Sequence, residues 1–170
     1  MELSNIKHRI DMWRFYEELE RIKKKEPCEN CALFYGSSTF AHYVNIENDF
    51  KEYNARNSGF GGSTSDEALF HYESIVNKFN PTTLVWYFGD NEPVCGYTLK
   101  ETKILFEAVF NKYHSDYPDG LIIIFVFYII ALAFDFDVIV KILNDLAKFD
   151  KQAKTSNHRL IMSCGWDPGL

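Results

Sequence analysis

A chain of 170 residues with 24 acidic and 18 basic side chains, formal charge −6, can bury one full hydrophobic core but not two. The acidic balance argues against a phosphate-backbone partner, which selects a basic face, so no nucleic-acid role is expected. Phe and Tyr are plentiful within an otherwise ordinary soluble composition, which points to a core built on rings.

Residues 1–14 are mixed polar and show no basic-then-apolar leader. Met12, Phe15, Tyr16, Leu19 and Ile22 then recur at three- and four-residue spacing, predicting an amphipathic helix over 11–25 that Pro27 closes. The Lys23-Lys24-Lys25 cluster at its end complements the helix dipole. Cys28-x-x-Cys31 is half a zinc pattern with no Cys/His pair to complete it. The four cysteines are therefore read as small hydrophobes in a reducing compartment. Residues 31–35 predict a strand buried on both faces.

Thr64-Ser65-Asp66-Glu67 has the spacing of a capping box and opens a helix whose Leu69, Tyr72, Val76 and Phe79 share a face; Asn80-Pro81 stops it. Residues 82–88 form a second buried strand. Thr98 to Glu101 is another capping box, leading a helix through Leu105, Ala108 and Val109. Residues 120–125 predict a third strand, Ile139, Ile142, Leu143 and Leu146 a last helix, and residues 159–164 a final strand. The apolar run over 121–134 is shorter than the roughly 20 residues of a spanning helix and is expected to be a buried element. A cytoplasmic protein without membrane contact follows. Strands alternating with helix-containing connections predict a single α/β domain over residues 1–170. Its architecture is three-layer α/β/α, with a doubly wound, mainly parallel, flavodoxin-like sheet.

Such sheets bind ligands at the carboxyl ends of their strands. Three small-residue motifs fall there: Gly36-Ser37-Ser38 after the first strand, "NSGFGGST" over 57–64 after the next extended stretch, and "GDNEP" over 89–93. Acyl transfer suits this set. A serine at a strand-to-helix turn attacks an ester carbonyl, and the developing oxyanion needs donors aimed at it. Ser38, Gly62 and Asn91 supply a hydroxyl with its own N–H, an unobstructed backbone N–H and a carboxamide. Asp90, Glu92 and Asn57 read as turn formers. Trp86 reads as core; Phe40, Tyr43 and Phe60 read as core or as the wall of an acyl pocket.

The set "FYGSSTF", "NSGFGGST" and "YFGDNEP" resembles the first three sequence blocks of the SGNH (GDSL-like) hydrolases, in particular the small bacterial lipase/acylhydrolase-type members with a Gly-Ser-Ser first block. The likeness covers roughly residues 13–125, with order and spacing intact. It implies a parallel sheet of about five strands between helices and an acyl or acetyl esterase acting on small-molecule esters, acylated carbohydrates among them. It also implies Ser38 as nucleophile, with Gly62 and Asn91 as oxyanion donors. No cofactor and no metal are implied.

The same family carries an Asp-x-x-His near its carboxyl terminus, whose histidine takes the serine proton. Here Asp167 is followed by Pro168, Gly169 and Leu170, so that block is not found. The expectation is a domain lacking the family's C-terminal catalytic segment and therefore an impaired esterase. None of His8, His42, His71, His114 and His158 is expected to replace the base; His71 and His114 are read as surface residues. Two other functions compete: a non-catalytic relative that binds carbohydrate or acyl ligands, and a flavodoxin-like phosphate or flavin binder using "GFGGST". The latter lacks both the P-loop ending and the dinucleotide fingerprint.

Overall fold

The computed structural model describes residues 2–11 and 13–125. The helix expected around 139–146 and the strand expected over 159–164 lie outside them, as do His158, Cys164 and Asp167.

Asp11 sets where the first helix begins. Its carbonyl accepts the Arg14 N–H at 3.3 Å and its carboxylate the Trp13 N–H at 3.0 Å, which makes a turn of the segment before Tyr16. Helix α1 consequently spans Tyr16–Lys23, shorter than the apolar periodicity predicts, and buries Leu19 and Ile22. Beyond it Asn30, in the left-handed region at φ 52, turns the chain so that Cys28 and Cys31 form a disulfide. The reading of these two as reduced small hydrophobes is therefore corrected.

Strand β1 (Ala32–Gly36) leads into short helices α2 (Ser38–His42) and α3 (Ile46–Asp49). The extended stretch that follows is only the two-residue β2, Arg56–Asn57. Helix α4 (Ser65–Phe79) starts at the predicted box: the Thr64 hydroxyl accepts from the Glu67 N–H and the Glu67 carboxylate accepts from the Thr64 N–H. Strand β3 (Thr83–Tyr87), helix α5 (Leu99–Asp116), opened by the reciprocal Thr98–Glu101 box, and strand β4 (Leu121–Ile124) complete the α-helices and strands of the described residues. Such caps satisfy N–H groups that a first helical turn otherwise leaves open.

All four strands pair in parallel, in the order β2-β1-β3-β4. The strand period of two sends alternate residues to opposite faces. Leu33, Tyr35, Leu84, Trp86, Ile122 and Ile124 enter a core with α1, α4 and α5. Ala32, Phe34, Val85 and Tyr87 enter a second core with Phe40 of α2 and Ile46 of α3. Trp86 is fully buried against Phe88, Phe106 and Phe110, with ring centroids 4.4 to 5.4 Å apart. Each such ring contributes about 1.5–3 kcal/mol by leaving water. Both faces carry helices, as the doubly wound reading requires. The order reverses between β1 and β3, and in such sheets that reversal marks where ligands bind.

Candidate functional site

Ser37 and Ser38 stand at the carboxyl end of β1. The Ser37 N–H donates to the Tyr87 carbonyl at 2.9 Å, continuing the β1–β3 ladder one residue past the strand, and Ser38 then opens α2. Ser37 is fully buried and its hydroxyl donates to Asp90 Oδ1 at 3.2 Å; Ser38 is partly exposed. Asp90 is thus no mere turn former, since it ties the third motif to the first. Burial pushes the neighbouring Tyr87 phenol up to about 12; the Thr39 hydroxyl works against this and Asp90 adds to it.

The glycine-rich loop after β2 is stitched to the end of β1. The Ser58 and Phe60 N–H groups donate to the carbonyls of Phe34 and Gly36 at 2.9 and 3.0 Å. Asn57, read from the sequence as a turn former, is instead a buried bridge. Its Nδ2 donates to the carbonyls of Phe40 (2.8 Å) and Tyr43 (3.1 Å), and its Oδ1 accepts the Gly59 N–H at 2.9 Å. Gly62 sits at φ +75, where a side chain would be strained.

The third motif closes the circuit. Asn91 Nδ2 donates to the Ser63 carbonyl at 2.8 Å. That acceptor fixes which way the carboxamide points and leaves its second hydrogen for another partner. Glu92 is fully buried, and its Oε1 accepts both the N–H (2.6 Å) and the hydroxyl of Ser65, at the first turn of α4. It caps a helix rather than a turn. Burial raises its carboxyl above the ordinary range, against the pull of the Ser65 bonds.

The segments bearing Ser38, Gly62 and Asn91 are therefore joined in a closed circuit of hydrogen bonds along one rim of the sheet, at the β1/β3 reversal. The aromatic residues do not gather there as an acyl wall. Phe40 and Phe60 are buried in the two cores on opposite faces, and Tyr43 is exposed. A cavity of about 570 Å³, lined in part by Ala32, Phe34, Val85 and Ile123, lies on a sheet face and includes none of Ser38, Gly62 and Asn91.

His71 is not on the surface as expected. It is buried with its ring edge-on to Phe60 (6.0 Å) and Phe70 (4.9 Å), and burial lowers its pKa, with Lys23 adding to the effect. His8 Nδ1 pairs at 2.5 Å with Asp66, a buried carboxylate that also accepts from the Arg9 N–H and the Tyr97 hydroxyl. His42 is exposed at the end of α2. Among the described residues no group of three His, Cys, Asp or Glu side chains could hold a metal ion. No described helix is long and apolar enough to cross a membrane.

No protein-family profile matches the chain, and no curated protein sequence does. Solved structures do. A candidate acylhydrolase of Bacteroides fragilis superposes with TM-score 0.66 at 17% identity, over 92% of this chain and 78% of that one. The psychrotrophic esterase EstA of Pseudoalteromonas sp., solved inhibited by monoethylphosphonate, gives 0.60 at 16% identity over 77% and 78%. A GDSL-like lipase of Bacteroides thetaiotaomicron gives 0.58 at 14% identity over 95% and 73%. The class is thus an α/β fold of parallel strands with a rim at the order reversal. In particular, it is the fold of these acylhydrolase and GDSL-like lipase structures, in keeping with the three sequence blocks.

Proposed function

We propose that the chain is a serine ester hydrolase acting on acyl or acetyl esters, with Ser38 as nucleophile. The observation that carries this reading is the hydrogen-bonded circuit that holds three sequence-distant motifs on one rim. The Ser38 oxygen attacks the ester carbonyl carbon while its proton passes to water. The carbonyl electron pair moves onto oxygen, and the Ser38 N–H, the Gly62 N–H and Asn91 Nδ2 receive that oxyanion. Collapse expels the alkoxide, which takes up a proton, and water hydrolyses the acyl-serine.

The 170 residues contain no Asp-x-x-His. As they stand, turnover rests on oxyanion stabilisation and binding, which sustain about 10³–10⁴-fold over water in serine hydrolases lacking a triad member. The substrates are small-molecule esters, acylated carbohydrates included. The named site residues are Ser38, Gly62 and Asn91.

A fluorophosphonate probe tests this without requiring turnover. Intact mass should rise by one phosphonyl group, peptide mapping should place it on Ser38, and Ser38→Ala should take none. Equal labelling of Ser38→Ala removes the proposal. An unlabelled wild type that still binds acyl or sugar ligands leaves the non-catalytic relative in its place.

A further inference from the structure

Three cations, Arg21 within α1 and Arg14 and Lys25 just before and after it, each donate to a carbonyl of the segment 57–62. Arg14 Nη2 reaches the Gly62 carbonyl at 3.0 Å, Arg21 Nη2 the Gly59 carbonyl at 2.9 Å, and Lys25 Nζ the Asn57 carbonyl at 2.7 Å. The acceptors follow in reverse order, so the loop runs antiparallel beneath a basic rail. Each end has a further contact. Lys25 also pairs with Glu47, whose carboxylate accepts the Asn57 N–H at 3.0 Å. Arg14 lies 3.8 Å from the buried Glu67 carboxylate.

Ordering three long side chains costs rotamer entropy that partly exposed hydrogen bonds scarcely offset. Net stability is thus a poor account of the arrangement; placement of the loop is a better one. A carbonyl pinned at Gly59 and another at Gly62 fix the peptide planes at both ends of the short stretch between them, since each plane is rigid. The Gly62 N–H lies in the 61–62 plane between them, and its range of directions narrows when both outer planes are held.

We infer that Arg14, Arg21 and Lys25 are positioning residues that hold residues 57–62 so that the Gly62 N–H faces the ester oxygen. The inference rests on the hydrolase reading for the role given to Gly62. It goes beyond that reading in assigning work to α1 and the residues flanking it, outside the three motifs.

Two measurements on the full chain test it. In phosphonate labelling, Arg14→Met should lower the maximal rate about tenfold with half-saturation nearly unchanged, because misplacement affects reaction rather than capture. Arg14→Lys should recover part of the loss, and Arg21→Met should behave like Arg14→Met. In native-state hydrogen exchange, the Ser58 and Phe60 amides should exchange about tenfold faster in Arg21→Met, with α5 amides unaffected. Variants that melt like wild type and label at the wild-type rate overturn the inference. A wild type that takes no label removes the hydrolase reading instead. Exchange then decides the rail: accelerated Ser58 and Phe60 amides sustain it, and unchanged ones overturn it.

Discussion

Replacing Gly59 by alanine should be far more damaging than replacing Gly61, two residues along the same loop. Gly59 does not occupy the left-handed region, so its backbone alone would admit alanine. Space does not. A Cβ there would lie 2.4 Å from the Ala41 backbone N and 2.6 Å from the Phe40 carbonyl carbon, both main-chain atoms of α2. Restoring ordinary contact means parting loop and helix by about 1 Å, and overpacking of this kind costs about 1–3 kcal/mol. The same movement pulls on the Asn57 bonds to the Phe40 and Tyr43 carbonyls, each worth about 1 kcal/mol. A total of about 3–5 kcal/mol corresponds to a melting temperature about 10–15 °C lower for a chain of this size. At Gly61 the nearest atom to an added Cβ is the Ala41 Cβ, at 4.0 Å. Gly61→Ala should therefore be neutral, or stabilising by about 0.5 kcal/mol through the unfolded chain. Thermal and urea unfolding of the two variants side by side is the assay. A Gly59→Ala protein melting within about 2 °C of wild type, or a Gly61→Ala protein equally damaged, refutes the packing argument.

Asn91→Ala should slow phosphonate labelling of Ser38 by about 100-fold, the usual effect of losing one oxyanion donor, while leaving the protein folded by circular dichroism. Glu92 makes stability depend on pH with a definite sign. Its folded pKa lies above its ordinary value of about 4.5, so the native state keeps a proton that the unfolded chain has lost. Its contribution is full below that value and is lost as pH rises through the folded pKa. Glu92→Gln keeps an acceptor for Ser65 and removes the slope, so urea denaturation from pH 4.5 to 8 should show the variant gaining on wild type; parallel curves would contradict it.

What could be read from the sequence was what is local. Thr64 and Thr98 mark their helices to the residue, because a capping box is a contact between positions three apart. Trp86 and the strand around it were legible because burial on both faces leaves a continuous apolar run. The three motifs announced the rim, since strand ends in parallel sheets share a side. Missed were groups whose partners are distant in the chain. Asn57, Asp90 and Glu92 look like turn residues until α2, Ser37 and the start of α4 are brought to them. Lys25, part of an apparent dipole cluster, proves to be the far end of a rail whose target lies 32 residues away. The start of α1 was misjudged because Asp11 competes locally with an apolar period that runs through it. His71 looked exposed because a lone histidine on a helix carries no sign of the rings that enclose it.

Among the described residues strand β4 pairs with β3 alone, and none of the bonds that assemble the rim involves β4 or α5. A substitution in β4 therefore reaches the rim through β3. Drift in β1, which shares its backbone with both neighbours, is felt at every motif together. Asp119 is exposed and precedes β4, at the end of that strand away from the rim, so a label or tether grafted there should leave Ser38 undisturbed.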